Sequence, residues 1–269
     1  MESKSTLTMR LGLAIIALLG TMAAVSLLYV PYDVNEMNIA GRLQSPGALH
    51  WFGTDNFGRD IFSRVMEASK TAFLVGAVAV TIGLVAGFII GATAGYLGGW
   101  TDEVLMRMID ALLAFPGILL ALILVTVFEP NLFQTMIAIG VLSVPNFARV
   151  IRSGFFQYKE AEFVVAARGL GASHATVILR HVMPHIVSPI IVAASLSFST
   201  AILVEAALSY LGLGVQPPDP SWGRMLSESQ SYIGKAPWFA LAPGVFIALT
   251  VLGFNLLGDG LRDLRDKKT

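Results

Sequence analysis

The side chains best suited to chemistry in this chain are few: His174, His181 and His185, the carboxylate of Glu205 in an apolar run, and the Gly-rich segment Gly53-Thr-Asp-Asn-Phe-Gly-Arg59. His181 and His185 stand four apart, a spacing that zinc ligands on one helix face use. Pro184 lies between them and no His-Glu-x-x-His pattern accompanies them. The pair therefore reads as loop-exposed, touching a partner or a phosphate, and not as a metal site. The Gly53–Arg59 stretch lacks the Lys-Ser/Thr that completes a phosphate loop. It reads as a polar turn opening an amphipathic helix, Asp60–Ser69, near the outer membrane face. Asp55, Arg59, Asp60 and Arg64 would pair there, each exposed pair contributing ~0–1 kcal/mol. The absence of cysteine removes thiol, disulfide and zinc–thiolate chemistry. The expectation is a chain with no catalytic residues, no metal site and no cofactor.

The elements that position these residues are apolar. Of 269 residues, 55% are hydrophobic and 13% charged, and the mean hydropathy is +0.71. A soluble domain carries roughly 25% charged residues, so the solvent implied is lipid. The formal net charge is zero, which gives no electrostatic case for nucleic acid.

A bilayer core takes about 20 apolar residues in helix. Leu11–Val30 fits, and its apolar run exceeds the ~7–15 residues of a signal-peptide core, so it reads as a retained anchor. Thr71–Thr101 is uncharged for 31 residues, and its Gly-rich end is expected to leave the membrane. Ala111–Phe128 and Asn131–Ala148 hold 18 residues each, split by Glu129-Pro130. Ile186–Val204, continuing to about Leu213, and Pro237–Leu257 complete six spans. Runs of this length are helices, because every backbone polar group in lipid must be satisfied within the segment. An even count puts both termini on one side. With that side cytoplasmic, the internal segments hold twelve Lys and Arg and the external ones six, the bias that sets orientation. Residues 1–70 then form an N-terminal anchor helix with an external amphipathic segment. Residues 71–269 form the core, with one long cytoplasmic loop, Arg149–His185.

Three features mark the helices. Gly83, Gly87, Gly91 and Gly95 fall four apart, one small residue per turn on one face, which lets another backbone approach closely. Two readings stay open: tight packing within this chain, or a face that meets a partner helix across a moving interface. Pro116 and Pro145 each remove a helical hydrogen bond and bend the third and fourth spans, Pro145 near the end of the fourth. Ser197, Thr200 and Glu205 are polar in the fifth span. A mid-membrane carboxylate costs about 2.5–3.5 kcal/mol on insertion scales, so these three are candidates for a translocation path.

In the long loop, Glu160–Gly169 reads as a short helix. Gly171 breaks it, glycine being the residue that readily takes positive φ past a helix end. Ser173 can cap a second short helix through Thr176–His181, and Pro184 begins the descent into the membrane. Two short helices joined at a glycine make a protruding elbow that can lodge in a partner's groove.

This loop resembles the coupling loop of ABC importer permeases, in which Glu-Ala-Ala is followed by three residues, Gly, nine residues and Ile-x-Leu-Pro. The corresponding positions are Val165, Ala166, Ala167, Gly171, His181, Met183 and Pro184. Val165, His181 and Met183 depart from the pattern. Phe52-Gly-Thr-Asp-Asn-Phe-Gly-Arg-Asp-Ile-Phe-Ser-Arg64, Leu208-Ser-Tyr-Leu-Gly-Leu-Gly-Val215 and Pro217-Pro-Asp-Pro-Ser-Trp-Gly223 are similar to segments of the dipeptide/oligopeptide/nickel branch. The resemblance runs from the first span to the last.

It implies an all-α integral membrane protein with six transmembrane helices and the type I ABC importer permease fold. It implies Ala166, Ala167, Arg168, Gly169, Gly171, Ala172, Ser173 and Pro184 as the ATPase-coupling loop. It also implies a second homologous permease subunit, two ATP-binding subunits, an extracytoplasmic solute-binding protein and a bacterial or archaeal cell (inner) membrane. The substrate would be a peptide or a related small solute such as glutathione or a nickel complex. ATP would be hydrolysed elsewhere, in keeping with the missing phosphate loop. Two other classes compete. A stand-alone secondary transporter would often show inverted repeats and broken midplane helices, and no convincing repeat is visible. An intramembrane enzyme would need a nucleophile–base or metal pattern inside the spans, and none occurs.

Overall fold

A computed structural model describes residues 2–127 and 131–266, without the side chains of 2–5 and 265–266. The Glu129-Pro130 junction and Lys267 and Lys268 lie outside the described residues. Apart from one isolated bridge between Thr54 and Asp60, the regular elements described are helical. They are α1 (Glu2–Val25), α2 (Ile61–Leu97), α3 (Gly99–Leu113), α4 (Gly117–Val127), α5 (Leu132–Tyr158), α6 (Glu162–Gly169), α7 (His174–Thr176), a π-helical segment Val177–Val182, α8 (Met183–Tyr210), α9 (Trp222–Ser229) and α10 (Pro237–Asp266), with short 3₁₀ turns at Ile39–Gly41 and Gln230–Tyr232. Among the described residues five helical runs are long and apolar enough to cross a membrane, and α3 with α4, bent by 87°, brings the number to six when the pair is counted as one span.

The bend expected at Pro116 is a full corner, which divides the span expected over Ala111–Phe128 between two helices. Helix α3 stops at Leu113, three residues before Pro116. A proline disfavours helical backbone in the residue before it and supplies no N–H of its own, so Phe115 and Pro116 form a corner. Pro145 behaves otherwise: it sits in the middle of α5, and the helix runs through it to Tyr158. The fourth span thus extends ten residues past Ala148. The loop expected over 149–185 shrinks to 159–173, since α7, the π segment and α8 form one continuous run, His174–Tyr210.

Helix α2 is the longest single element, at 37 residues, or about 55 Å at 1.5 Å per residue. Its first turns are the expected Asp60–Ser69 helix. That helix does not lie on the membrane face: Asp60 caps α2, its carboxylate accepting from Ser63 N, and Ile61, Ser63, Arg64, Val65, Ala68 and Ser69 are buried.

The glycine stripe settles between its two readings. A Cβ built on Gly83 would lie 2.5 Å from Ser143 Cβ, on Gly87 2.5 Å from Phe147 Cβ, and on Gly95 2.6 Å from Phe155 Cβ. On Gly91 it would meet the Ala148 carbonyl. All four contacts are to α5 of the same chain, so the stripe is spent on internal packing and offers no face to a partner helix. Dispersion and close backbone approach hold α2 to α5 where lipid supplies no hydrophobic drive.

Helix α1 ends at Val25, five residues short of the expected span, and packs on α10. Gly12 abuts Leu257 while Gly260 abuts Met9, which makes the two helices antiparallel. Gly20 faces Phe73, and Tyr32 N donates to Ser63 Oγ at the start of α2. The first turn of α1 and the last turn of α10 therefore lie at the end of the molecule where α2 finishes.

Candidate functional site: the elbow and the polar face of the spans

Helix α6 ends in a Schellman motif. Gly171 N donates to Arg168 O at 2.9 Å and Ala172 N to Ala167 O at 3.0 Å, satisfying two carbonyls a helix end leaves free. The motif needs a left-handed residue, and Gly171 has φ +85°. Ser173 then caps the next helix, its Oγ accepting from Thr176 N at 3.2 Å. The glycine stop and serine cap sit where local sequence rules place them.

What roots the elbow is not in the motif. Val164, Val177 and Val182 are fully buried in one cluster with Ile151 and Phe155 of α5. Tyr96, next to last in α2, stands on both sides of the Gly171 turn. Its hydroxyl lies 2.5 Å from His174 Nδ1, and the Arg168 guanidinium sits 5.1 Å over its ring. Tyr158, at the end of α5, stacks on His185 at 5.1 Å, and Phe163 of α6 closes on the same imidazole at 4.9 Å. His185 is thus a packing post between three helical segments. Among the described residues no cluster of three His, Asp or Glu could hold a metal ion. The tip left in solvent comprises Ala166, Arg168, Gly169, Gly171 and Ser173, with Leu170 90% exposed and Val165 56% exposed. Ala167 and Ala172 are half-buried. Pro184 is exposed at the second position of α8, two residues after the π segment, where Met183 N reaches back to Ile178 O. That five-residue step widens the turn whose Arg180 carbonyl a proline ring would otherwise crowd.

The fifth-span candidates divide. Thr200 is exposed and its hydroxyl donates to Leu196 O at 3.1 Å. Ser197 is buried and bonded to Asn146 Nδ2 of α5 at 3.1 Å. Glu205 is 1% exposed, inside the subunit, and accepts from Ser209 Oγ at 2.6 Å.

At the opposite end of α2 the charges expected in exposed pairs are buried. Arg59 binds Asp55 at 2.6 Å and Glu228 of α9 at 3.0 Å. Arg64, 1% exposed, lies 3.8 Å from Asp55 and 3.9 Å from Glu228 and donates to Val34 O. Asp60 meets His50 at 2.8 Å, and Trp222 Nε1 donates to Val65 O. No local pattern marks Glu228, which joins from 169 residues away. On the elbow side, Arg152 binds Asp102 through two nitrogens and Arg149 binds Asp110 at 2.6 Å, tying α3 to α5.

A family model described as "Binding-protein-dependent transport system inner membrane component" matches residues 83–269. The dipeptide transport system permease protein DppC of Alkalihalophilus pseudofirmus is 47% identical over 257 residues, covering 96% of this chain and 84% of that protein. The glutathione transport system permease protein GsiD of Pectobacterium atrosepticum is 42% identical, covering 89% and 80%, and that of Escherichia coli O157:H7 is 44% identical, covering 88% and 79%. Among solved structures, a chain of the inward-facing MetNI methionine ABC transporter superposes with a TM-score of 0.58 at 19% identity, over 76% of this chain and 94% of that one. A chain of an amino acid ABC transporter gives 0.53 at 19% identity, over 74% and 90%. These two show a shared fold.

Proposed function

Since this chain belongs to the family of binding-protein-dependent transport system inner membrane components, we propose that it forms one half of the pore of an ATP-driven importer for peptides or a related small solute. The chain is a permease and not an enzyme. In this reading residues 1–70 anchor and cover a core of residues 71–269. Two ATP-binding subunits, a second homologous permease and an extracytoplasmic binding protein complete the machine in a bacterial or archaeal cell (inner) membrane. The charge bias between loops supports cytoplasmic termini.

The observation that carries the proposal is the elbow: a rigid two-helix knuckle with a solvent-exposed tip at Leu170 and a buried root on α2 and α5. Such a lever passes a partner's movement to the spans as a rigid body, a two-state switch. Ala166, Ala167, Arg168, Gly169, Gly171, Ala172, Ser173 and Pro184 are the residues we assign to it. The corner at Pro116 supports a second permease. Helix α4 has eleven residues, about 17 Å, too short to span alone, and irregular backbone at membrane depth is tolerated only where protein or water covers it. The names of the relatives, dipeptide and glutathione permeases, support a peptide-like solute.

Reconstitution in liposomes tests this. With partner permease, ATPases and binding protein, uptake of a labelled dipeptide or glutathione should require ATP, and cross-links from residues beside Gly171 should reach the ATPase. Gradient-driven uptake by the purified chain alone would establish a stand-alone carrier instead.

A further inference from the structure

We infer that Asn146 and the polar row below it on α5, Arg149, Ser153 and Gln157, line the inner half of the translocation path and contact the polar groups of the passing solute. The inference rests on the proposed permease role and adds the surface along which the solute leaves.

The residues fall three, four and four apart, which places them on one face of α5. All four are exposed, whereas Phe147, Ala148, Ile151, Gly154 and Phe155 on the other faces are buried. Asn146 lies fourteen residues into α5, about 21 Å along a helix rising 1.5 Å per residue, and so well inside a hydrocarbon core of about 30 Å. The threonines exposed elsewhere on the spans give the contrast. Thr81, Thr93 and Thr126 each return the hydroxyl to a carbonyl of their own helix four residues back, so they tolerate lipid. Asn146 makes one side-chain bond, to Ser197 Oγ. Its second N–H and its carbonyl have no partner among the described residues, and neither would be satisfied in hydrocarbon. Pro145 adds to the polarity, because it lacks the N–H that would serve the Val141 carbonyl one turn back.

The inner part of the row lines an open groove. Arg149, Ser153 and Gln157 face His185 and Pro189 of α8 across a groove of about 340 Å³ beside the root of the elbow. A side-chain amide in this place offers one donor and one acceptor to a solute that carries peptide groups, without the binding strength a charge would add.

The chain has no cysteine, which allows a direct test in the assembled transporter with its partners made cysteine-free. ATP-driven dipeptide uptake by this parent is established first; its absence would count against the permease role and not against the row. Asn146→Cys, Ser153→Cys, Gln157→Cys and the control Thr81→Cys are then exposed to a charged, membrane-impermeant methanethiosulfonate from the cytoplasmic side. The three row positions should label at least about tenfold faster than Thr81→Cys, as water-filled and lipid-facing positions differ. Trapping the ATPases with ATP and vanadate should suppress that labelling, because the path then closes inward. Should Asn146→Cys fail to assemble, Asn146→Gln and Asn146→Leu replace it, with KM for the dipeptide rising in the leucine variant and near the parent value in the glutamine variant. Labelling no faster than at Thr81→Cys, or labelling indifferent to vanadate, would overturn the assignment.

Discussion

The Tyr96 hydroxyl at the end of α2 and the His174 Nδ1 at the start of the fifth span lie 2.5 Å apart, closing the elbow across the turn that Gly171 opens. Removing this one bond with Tyr96→Phe keeps the ring under Arg168. A single hydrogen bond contributes about 0.5–1.5 kcal/mol, so the subunit should still insert and assemble. Solute transported per ATP hydrolysed should fall, as the lever slips on its root. Unchanged coupling in paired uptake and ATPase measurements would show that the bond transmits nothing.

Gly171 has open space around a built Cβ, so any penalty there comes from φ +85° and not from a clash. Gly171→Ala should cost about 1–2 kcal/mol and reduce uptake. Gly171→Asn should be milder, since asparagine visits left-handed backbone more readily. Gly171→Val should abolish uptake and uncouple ATP hydrolysis with insertion intact. Uptake assays ranking the three variants in another order would contradict the conformational argument.

At the other end of α2, Glu228→Ala leaves Arg59 and Arg64 buried with Asp55 as the remaining carboxylate. Breaking a buried pair by removing one partner costs about 3–5 kcal/mol, which thermal unfolding in detergent should register as a clear loss. The double variant Arg59→Met with Glu228→Leu should recover part of it, because an apolar replacement leaves fewer uncompensated charges. Equal losses in both would mean that packing, and not charge, holds this site.

Gly87→Ala should separate α2 from α5, since its Cβ would stand 2.5 Å from Phe147 Cβ. Overpacking of this kind costs about 1–3 kcal/mol. Gly99→Ala, where a built Cβ meets nothing but φ is +55°, serves as the conformational comparison. Purified yield and melting temperature should drop for Gly87→Ala without a change in KM for the solute. A changed KM at normal stability would move the stripe from packing into the path.

Much of the molecule was readable from the chain because the rules involved act over short distances. Hydropathy over about 20 residues located the spans. The need for positive φ after α6 identified Gly171, and the capping demand of the next helix identified Ser173. Proline chemistry foretold a bend at Pro116, though a sequence rule says only that hydrogen bonding is interrupted, and the 87° angle is set by what the two segments pack against. The same limit hid the elbow's root. Tyr96 and Tyr158 look like ordinary aromatic residues until α2 and α5 deliver them to His174 and His185.

Composition and local backbone preference by themselves determined that this chain is a bundle of membrane helices with a glycine-hinged knuckle between the fourth and fifth. Tertiary structure alone decided that the glycine stripe faces inward, that Glu228 completes the ion cluster around Arg59 and Arg64, and that Asn146 stands exposed at mid-depth. The physical reason is range. Torsional strain, helix capping and transfer to lipid are settled within a few turns, whereas burial and charge pairing depend on which distant segments the packed helices bring together.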